Sequence, residues 1–138
     1  MRAQYPTTIR IIRVPCTGKV DIIHLLKAFE AGADGVYLVG CEEGNCHFLV
    51  GNIRARKRVG RVKNILASIG LEADRLQMYN LSAGEGTRFV AIAKEMNEKI
   101  INLGPSPIKP MHDKLHHLAE LQDRVQNLKN AENEHGNG

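Results

Sequence analysis

The residues best equipped for chemistry are three cysteines, Cys16, Cys41 and Cys46. Two of them stand five positions apart in the run Gly40-Cys41-Glu42-Glu43-Gly44-Asn45-Cys46-His47. The glycines let the backbone wrap, so both thiols can converge on one metal. Thiolates are the soft ligands that iron–sulfur clusters and zinc take. The plainer reading is that free cysteines are small buried hydrophobes. His47 is a fourth donor by type, since imidazole replaces thiolate in some clusters. A histidine beside a cysteine more often hydrogen-bonds from outside the ligand set.

The elements that must position these residues follow from periodicity. Ile9-Arg10-Ile11-Ile12-Arg13-Val14 is β-branched and apolar and predicts a buried strand, stopped by the turn Pro15-Cys16-Thr17-Gly18. Residues 21–31 carry Ile22, Leu25, Leu26 and Phe29 at helical spacing, with Gly32 to end the helix. Residues 35–39 predict a second strand that ends in Gly40-Cys41, and residues 42–51 a loop. A helix over 53–69 and a strand over 76–81 follow. Ser82 and Glu85 form a capping-box pattern that opens a helix closed by Gly104-Pro105.

Strand and helix thus alternate, which predicts an α/β fold of three layers, a mostly parallel sheet between helices in a flavodoxin-like, doubly wound order. In such sheets functional groups gather at the carboxyl ends of strands, where all three cysteines fall. That placement weakens the plainer reading of them. Three strands make a thin sheet, and a first strand is missing from it or comes from a partner. The expected domain spans residues 1–104, followed by a Pro-rich linker over 105–111. An amphipathic helix over 112–132 carries Leu115, Leu118, Leu121, Val125 and Leu128, and residues 133–138 form a disordered tail. The stripe is expected to dock on this domain or on another chain.

The helix from Ile53 holds Arg54, Arg56, Lys57, Arg58, Arg61 and Lys63. Such a run is a solvated face, or a docking surface for an acidic partner or a phosphate group. With aromatics at 4% and no Trp, a base-stacking surface is disfavoured, so nucleic acid is the weaker partner class despite a net charge of +4. No apolar run approaches the ~20 residues of a membrane span. No secretory signal is visible, and the expected place is the cytoplasm, where three cysteines are not a disulfide framework. There is no G-x-G-x-x-G loop, nucleophile elbow or carboxylate pair, so the chain offers no hydrolase.

Taken together, several runs resemble the delta subunit of methyl-viologen-reducing hydrogenase. They are Gln4-Tyr5-Pro6, Ile9 to Val14, Cys16-Thr17-Gly18-Lys19-Val20-Asp21 and Phe29 to Val36. Gly40-Cys41, Gly44-Asn45-Cys46-His47, Gly51-Asn52 and Ser82-Ala83-Gly84-Glu85-Gly86 continue the match, which covers residues 3–105. The resemblance implies a non-catalytic electron-transfer subunit of an oxidoreductase complex, with a 2Fe–2S cluster on Cys16, Cys41 and Cys46. It implies electron relay between a hydrogenase, or another donor, and the flavin-bearing A subunit of heterodisulfide reductase. Members of the family carry a further strand and cysteine-bearing stretch before the Gln-Tyr-Pro segment. Without it the ligand set is one short, leaving His47, a partner residue or an upstream segment as the fourth ligand. Two readings stand beside this one: a zinc- or thiol-based regulatory module, and a nucleic-acid-binding domain built on the basic helix.

Overall fold

The computed structural model describes residues 4–135. Its first regular element after a single 3-10 turn is α1, Ile22–Glu30. Asp21 caps it, accepting from the Ile22 N–H at 2.7 Å while its own N–H donates to His24 Nδ1 at 2.9 Å. A histidine thus fills the place that Glu or Gln holds in the usual capping box. Leu25 and Phe29, one turn apart, are buried, and Gly32 ends the element at φ 98°.

Strand β1, Val36–Cys41, follows, then helix α2, Gly51–Ser68, strand β2, Leu76–Leu81, and helix α3, Gly86–Leu103. The two strands pair in parallel, from Val36 opposite Leu76 to Cys41 opposite Leu81. Alternate residues of a strand face opposite sides. Leu38 and Leu76 accordingly join one core with Leu25 and Phe29 of α1 and Ala55, Val59, Val62 and Leu66 of α2. On the other face the Tyr37 and Tyr79 rings meet edge to face at 6.0 Å, and the Tyr79 hydroxyl donates to Glu95 of α3 at 3.2 Å. Burial and the Glu95 charge push the Tyr79 phenol up to about 12. An α/β fold with helices on both sides of a parallel sheet is therefore what this sequence makes.

The sheet has two strands among the described residues, not three. Residues 9–14 form no strand, and Ile11 and Ile12 are 54% and 84% exposed. An apolar run becomes a strand only where a neighbouring ladder takes its N–H and C=O groups, and no described strand lies beside it. The segment is tethered instead through Tyr5, whose ring stacks edge-on against Phe89, and Thr8, which donates to Asn97 at 2.8 Å. The Ser82–Glu85 box is also only half made. The Ser82 N–H donates to the Glu85 carboxylate at 2.7 Å, but no side chain caps α3, which starts one residue later.

The far end of the sheet is fastened by Arg75, 1% exposed. Its guanidinium pairs with Glu72 at 2.7 Å and donates to the carbonyls of Asp34, Leu103, Gly104 and Pro105. Orphan carbonyls at the end of α3 thus gain charged donors. Asp34 completes this clasp, accepting from the Ser106 N–H at 2.8 Å and from Lys109 at 3.1 Å. Burial pushes its carboxyl up, but those donors and Arg75 outweigh it and hold the carboxyl below its ordinary value.

The last helix, α4, runs Lys109–His135. It begins within the Pro-rich segment because Pro110 falls in the first turn, where a missing N–H has no intrahelical partner to lose. It also takes in residues 133–135, while 136–138 lie outside the described residues. Leu115, Leu118, Leu121, Val125 and Leu128 are all exposed on it. No helix among the described residues is long and apolar enough to cross a membrane.

Candidate metal centre

The site forms at the carboxyl end of the sheet, where three chain segments meet. The first is the turn after Cys16. Cys16 is extended at φ −157°, and its sulfur accepts from the Gly18 N–H at 3.3 Å, which curls residues 17–19 into a 3-10 turn. Arg58 of α2 holds this turn, donating to the carbonyls of Gly18 at 2.6 Å and Val20 at 3.1 Å. The contact is so close that a Cβ on Gly18 would lie 2.7 Å from the Gly51 Cα. Only glycine fits there.

The second segment is the loop between β1 and α2, which carries Cys46. Glycine at φ 85° turns it at Gly44, and Leu49 adopts φ 60°, the one non-glycine residue at positive φ among those described. The Cys46 side chain is buried. Its sulfur lies at the start of α2, where the N–H of Asn52 chiefly, and those of Phe48 and Gly51, hold the thiol below its ordinary value against the effect of burial. A helix start supplies such unpaired donors and a positive potential. The Cys16 thiol beside it adds to that lowering.

The third segment is the start of α2 itself. A Cβ on Gly51 would stand 2.4 Å from the Cys16 sulfur and 3.5 Å from that of Cys46. The bare Cα is what leaves room for two sulfurs. Asn52, 2% exposed, turns its amide back to the end of β1, donating to the carbonyls of Cys41 at 3.0 Å and Glu42 at 2.9 Å. It therefore ties the strand carrying Cys41 to the helix start that faces Cys46.

Two of the expected ligands are thus brought together and two are not. Cys41 is exposed at the last position of β1, and its carbonyl also accepts from Asn80 at 2.6 Å. His47 is exposed and stacks edge-on against Phe48 at 5.1 Å. No group of three metal-ligating side chains is assembled among the described residues. The basic residues divide as well. Arg56 pairs with Glu43, Arg58 holds the Cys16 turn and Lys63 donates to Gln77, whereas Arg54, Lys57 and Arg61 make no ion pair among the described residues. Gly51 and Asn52 do the positioning, which cysteine spacing does not reveal. The Gly-Asn pair at a helix start is the signal that points to it.

Fold and site together define a small α/β domain that presents a thiol pair, Cys46 buried and Cys16 half-buried, at the carboxyl edge of its sheet. The chain belongs to the family of the methyl-viologen-reducing hydrogenase delta subunit, whose model matches residues 1–104. It is 45% identical over 108 residues to the D-type iron–sulfur subunit of the vhu F420-non-reducing hydrogenase of Methanocaldococcus jannaschii, covering 78% of this chain and 81% of that protein. The corresponding protein of Methanopyrus kandleri is 44% identical over 104 residues, 75% of this chain and 79% of that one. A third relative is larger. The A-type subunit of the ferredoxin:CoB-CoM heterodisulfide reductase of Methanosarcina mazei is 39% identical over 104 residues, 75% of this chain but 13% of that protein.

Proposed function

We propose that this chain is an iron–sulfur electron-transfer subunit, passing electrons between a hydrogenase, or another donor, and the flavin-bearing A subunit of a heterodisulfide reductase. The observation that carries this reading is the Cys16–Cys46 pair, two thiols that converge on the bare Cα of Gly51 at the head of a helix. Its donor set fits a cluster at one corner. The sulfurs are soft ligands, the bare Gly51 Cα leaves room beside them, and backbone N–H groups of Phe48, Gly51 and Asn52 already face the Cys46 sulfur. Cys16, Cys41 and Cys46 would be the thiolate ligands of a 2Fe–2S cluster, with His47 or a partner residue as the fourth. Such a cluster supplies a one-electron couple whose potential follows the charge and hydrogen bonds around its sulfurs.

The relatives support the partners. The D-type proteins are named as iron–sulfur subunits of hydrogenases, and the same domain recurs within the A-type protein of a heterodisulfide reductase. A domain found both as a separate chain and inside that larger protein is suited to work against it. A cytoplasmic, membrane-free complex is part of this reading.

Anaerobic reconstitution with iron and sulfide, followed by EPR of the reduced chain, tests it. A rhombic signal that is lost in Cys16→Ser and in Cys46→Ser is expected. Zinc bound by the two thiols, with no iron–sulfur signal under any loading, would return the chain to the regulatory-module reading.

A further inference from the structure

Beside the thiol pair lies a surface that the ligand chemistry does not use. Phe48, Leu49, Val50 and Ile53 are 51%, 80%, 43% and 39% exposed, immediately after Cys46 in the chain. Leu49 is also the bulky residue held at φ 60°. A left-handed leucine is unfavourable for the isolated fold, and the strain here turns an aliphatic side chain out to solvent rather than into a core.

The neighbouring charges lie on the same side. Val50 and Arg54 are four residues apart, as are Ile53 and Lys57 and, in turn, Lys57 and Arg61, so the apolar patch runs into one cationic stripe along α2. These three cations are the ones that the fold leaves without an ion pair among the described residues. Arg56 and Lys63, on another side of the helix, are engaged with Glu43 and Gln77, and Arg58, at the flank of the stripe, holds the Cys16 turn. The helix thus separates cations that hold the domain from cations that do not.

We infer that Phe48, Leu49, Val50 and Ile53, with Arg54, Lys57 and Arg61, form a docking surface for a protein partner that offers an apolar hollow bordered by carboxylates. A protein is favoured over nucleic acid because three of the four apolar residues are aliphatic and give bases nothing to stack on. An unpaired cation row selects an acidic rim, which sets approach and orientation, while the apolar patch supplies the desolvated centre. The inference rests on the electron-transfer reading for its purpose, since a partner seated here lies against the loop that carries Cys46.

The test uses the full-length chain and, as probe, the purified flavin-bearing A subunit of heterodisulfide reductase from the same organism, with affinity followed across a salt series. Leu49→Asp and the triple variant Arg54→Glu/Lys57→Glu/Arg61→Glu are each expected to weaken binding at least about tenfold, as truncation of an interface anchor does. Lys94→Glu, on exposed α3 surface, is expected to bind like the parent. Leu49→Gly separates docking from folding, because it relieves the backbone while removing the side chain. Weaker binding by a variant that unfolds no earlier than the parent supports the surface. Unchanged affinity in the triple variant overturns it, as does absence of binding by the parent at low salt. Equal, salt-sensitive binding of a DNA duplex lost in the same variants would also overturn it. The cluster is read separately by EPR. Binding without a signal would refute the electron-transfer reading alone, and a signal with affinity indifferent to charge reversal would refute the surface alone.

Discussion

The sulfurs of Cys16 and Cys46 converge on the bare Cα of Gly51, where a Cβ would stand 2.4 Å from the first and 3.5 Å from the second. Two segments far apart in the chain meet there only because Gly18 and Gly51 allow backbone to approach backbone. Gly51→Ala would put a methyl group 2.4 Å from the Cys16 sulfur. Overpacking of this kind costs roughly 1–3 kcal/mol. The expected outcome is a chain that keeps its helical circular dichroism, loses that much stability to urea, and no longer gives an iron–sulfur absorbance on reconstitution. Retention of a full cluster signal in the alanine variant would show that the glycine is dispensable.

The Cys46 thiol carries a pH dependence whose sign can be worked out. Its ordinary value is 9.0, and in the folded chain the N–H groups at the start of α2 and the Cys16 thiol hold it lower. Between the folded and unfolded values the unfolded chain binds the extra proton, so stability rises with pH across that interval. The contribution is present above the unfolded value and is lost as pH falls through the folded one. Ultraviolet thiolate absorbance of the metal-free Cys41→Ser variant should show a thiol titrating below 9.0, and Cys46→Ser should remove that step.

Asn52 is expected to matter more than its polar character announces. Its buried amide gives both N–H donors to the carbonyls of Cys41 and Glu42. Asn52→Asp places an acceptor against two acceptors, close to a sulfur that already favours negative charge. Without the amide the Glu42 carbonyl loses its donor, at roughly 1–3 kcal/mol, while the Cys41 carbonyl keeps Asn80. Urea unfolding should therefore rank Asn52→Asp below Asn52→Ala, and both below the parent. Equal stability of the aspartate and the parent would contradict the observed amide orientation.

Local signals made most of the fold legible. Helical spacing and closing glycines located α1 and α2 to within two residues and the end of α3, whose start lies past the Ser82–Glu85 pattern, and short apolar runs located β1 and β2. Ile9 to Val14 carries an equally good strand pattern yet forms none, because a strand is completed by a neighbour that its own sequence does not contain. The site shows the same limit. Cysteine spacing pointed to Cys41 and Cys46 as the near pair, whereas the close approach of Gly18 to Gly51 couples Cys46 to Cys16. The six cations of α2 read as one face, and the fold divides them by what Glu43, the Gly18 carbonyl and Gln77 can reach.

The C-terminal helix is expected to be separable from the domain, with the outcome decided by where the cut falls. Its stripe from Leu115 to Leu128 is exposed, and α4 touches the core through Lys109, which pairs with Asp34 at 3.1 Å. Removing residues 114–138 should leave unfolding free energy within about 0.5 kcal/mol of the full chain, the usual range for uncoupled surface changes. Cutting before Pro105 is different. It deletes the Pro105 carbonyl that Arg75 uses and the Ser106 N–H that Asp34 accepts from. Buried groups would then lose partners, at roughly 1–3 kcal/mol apiece. Thermal unfolding of the two truncations should thus diverge. If the longer truncate, ending at Asp113, were as destabilised as the shorter one, the leucine stripe would have to be packed on the domain in solution.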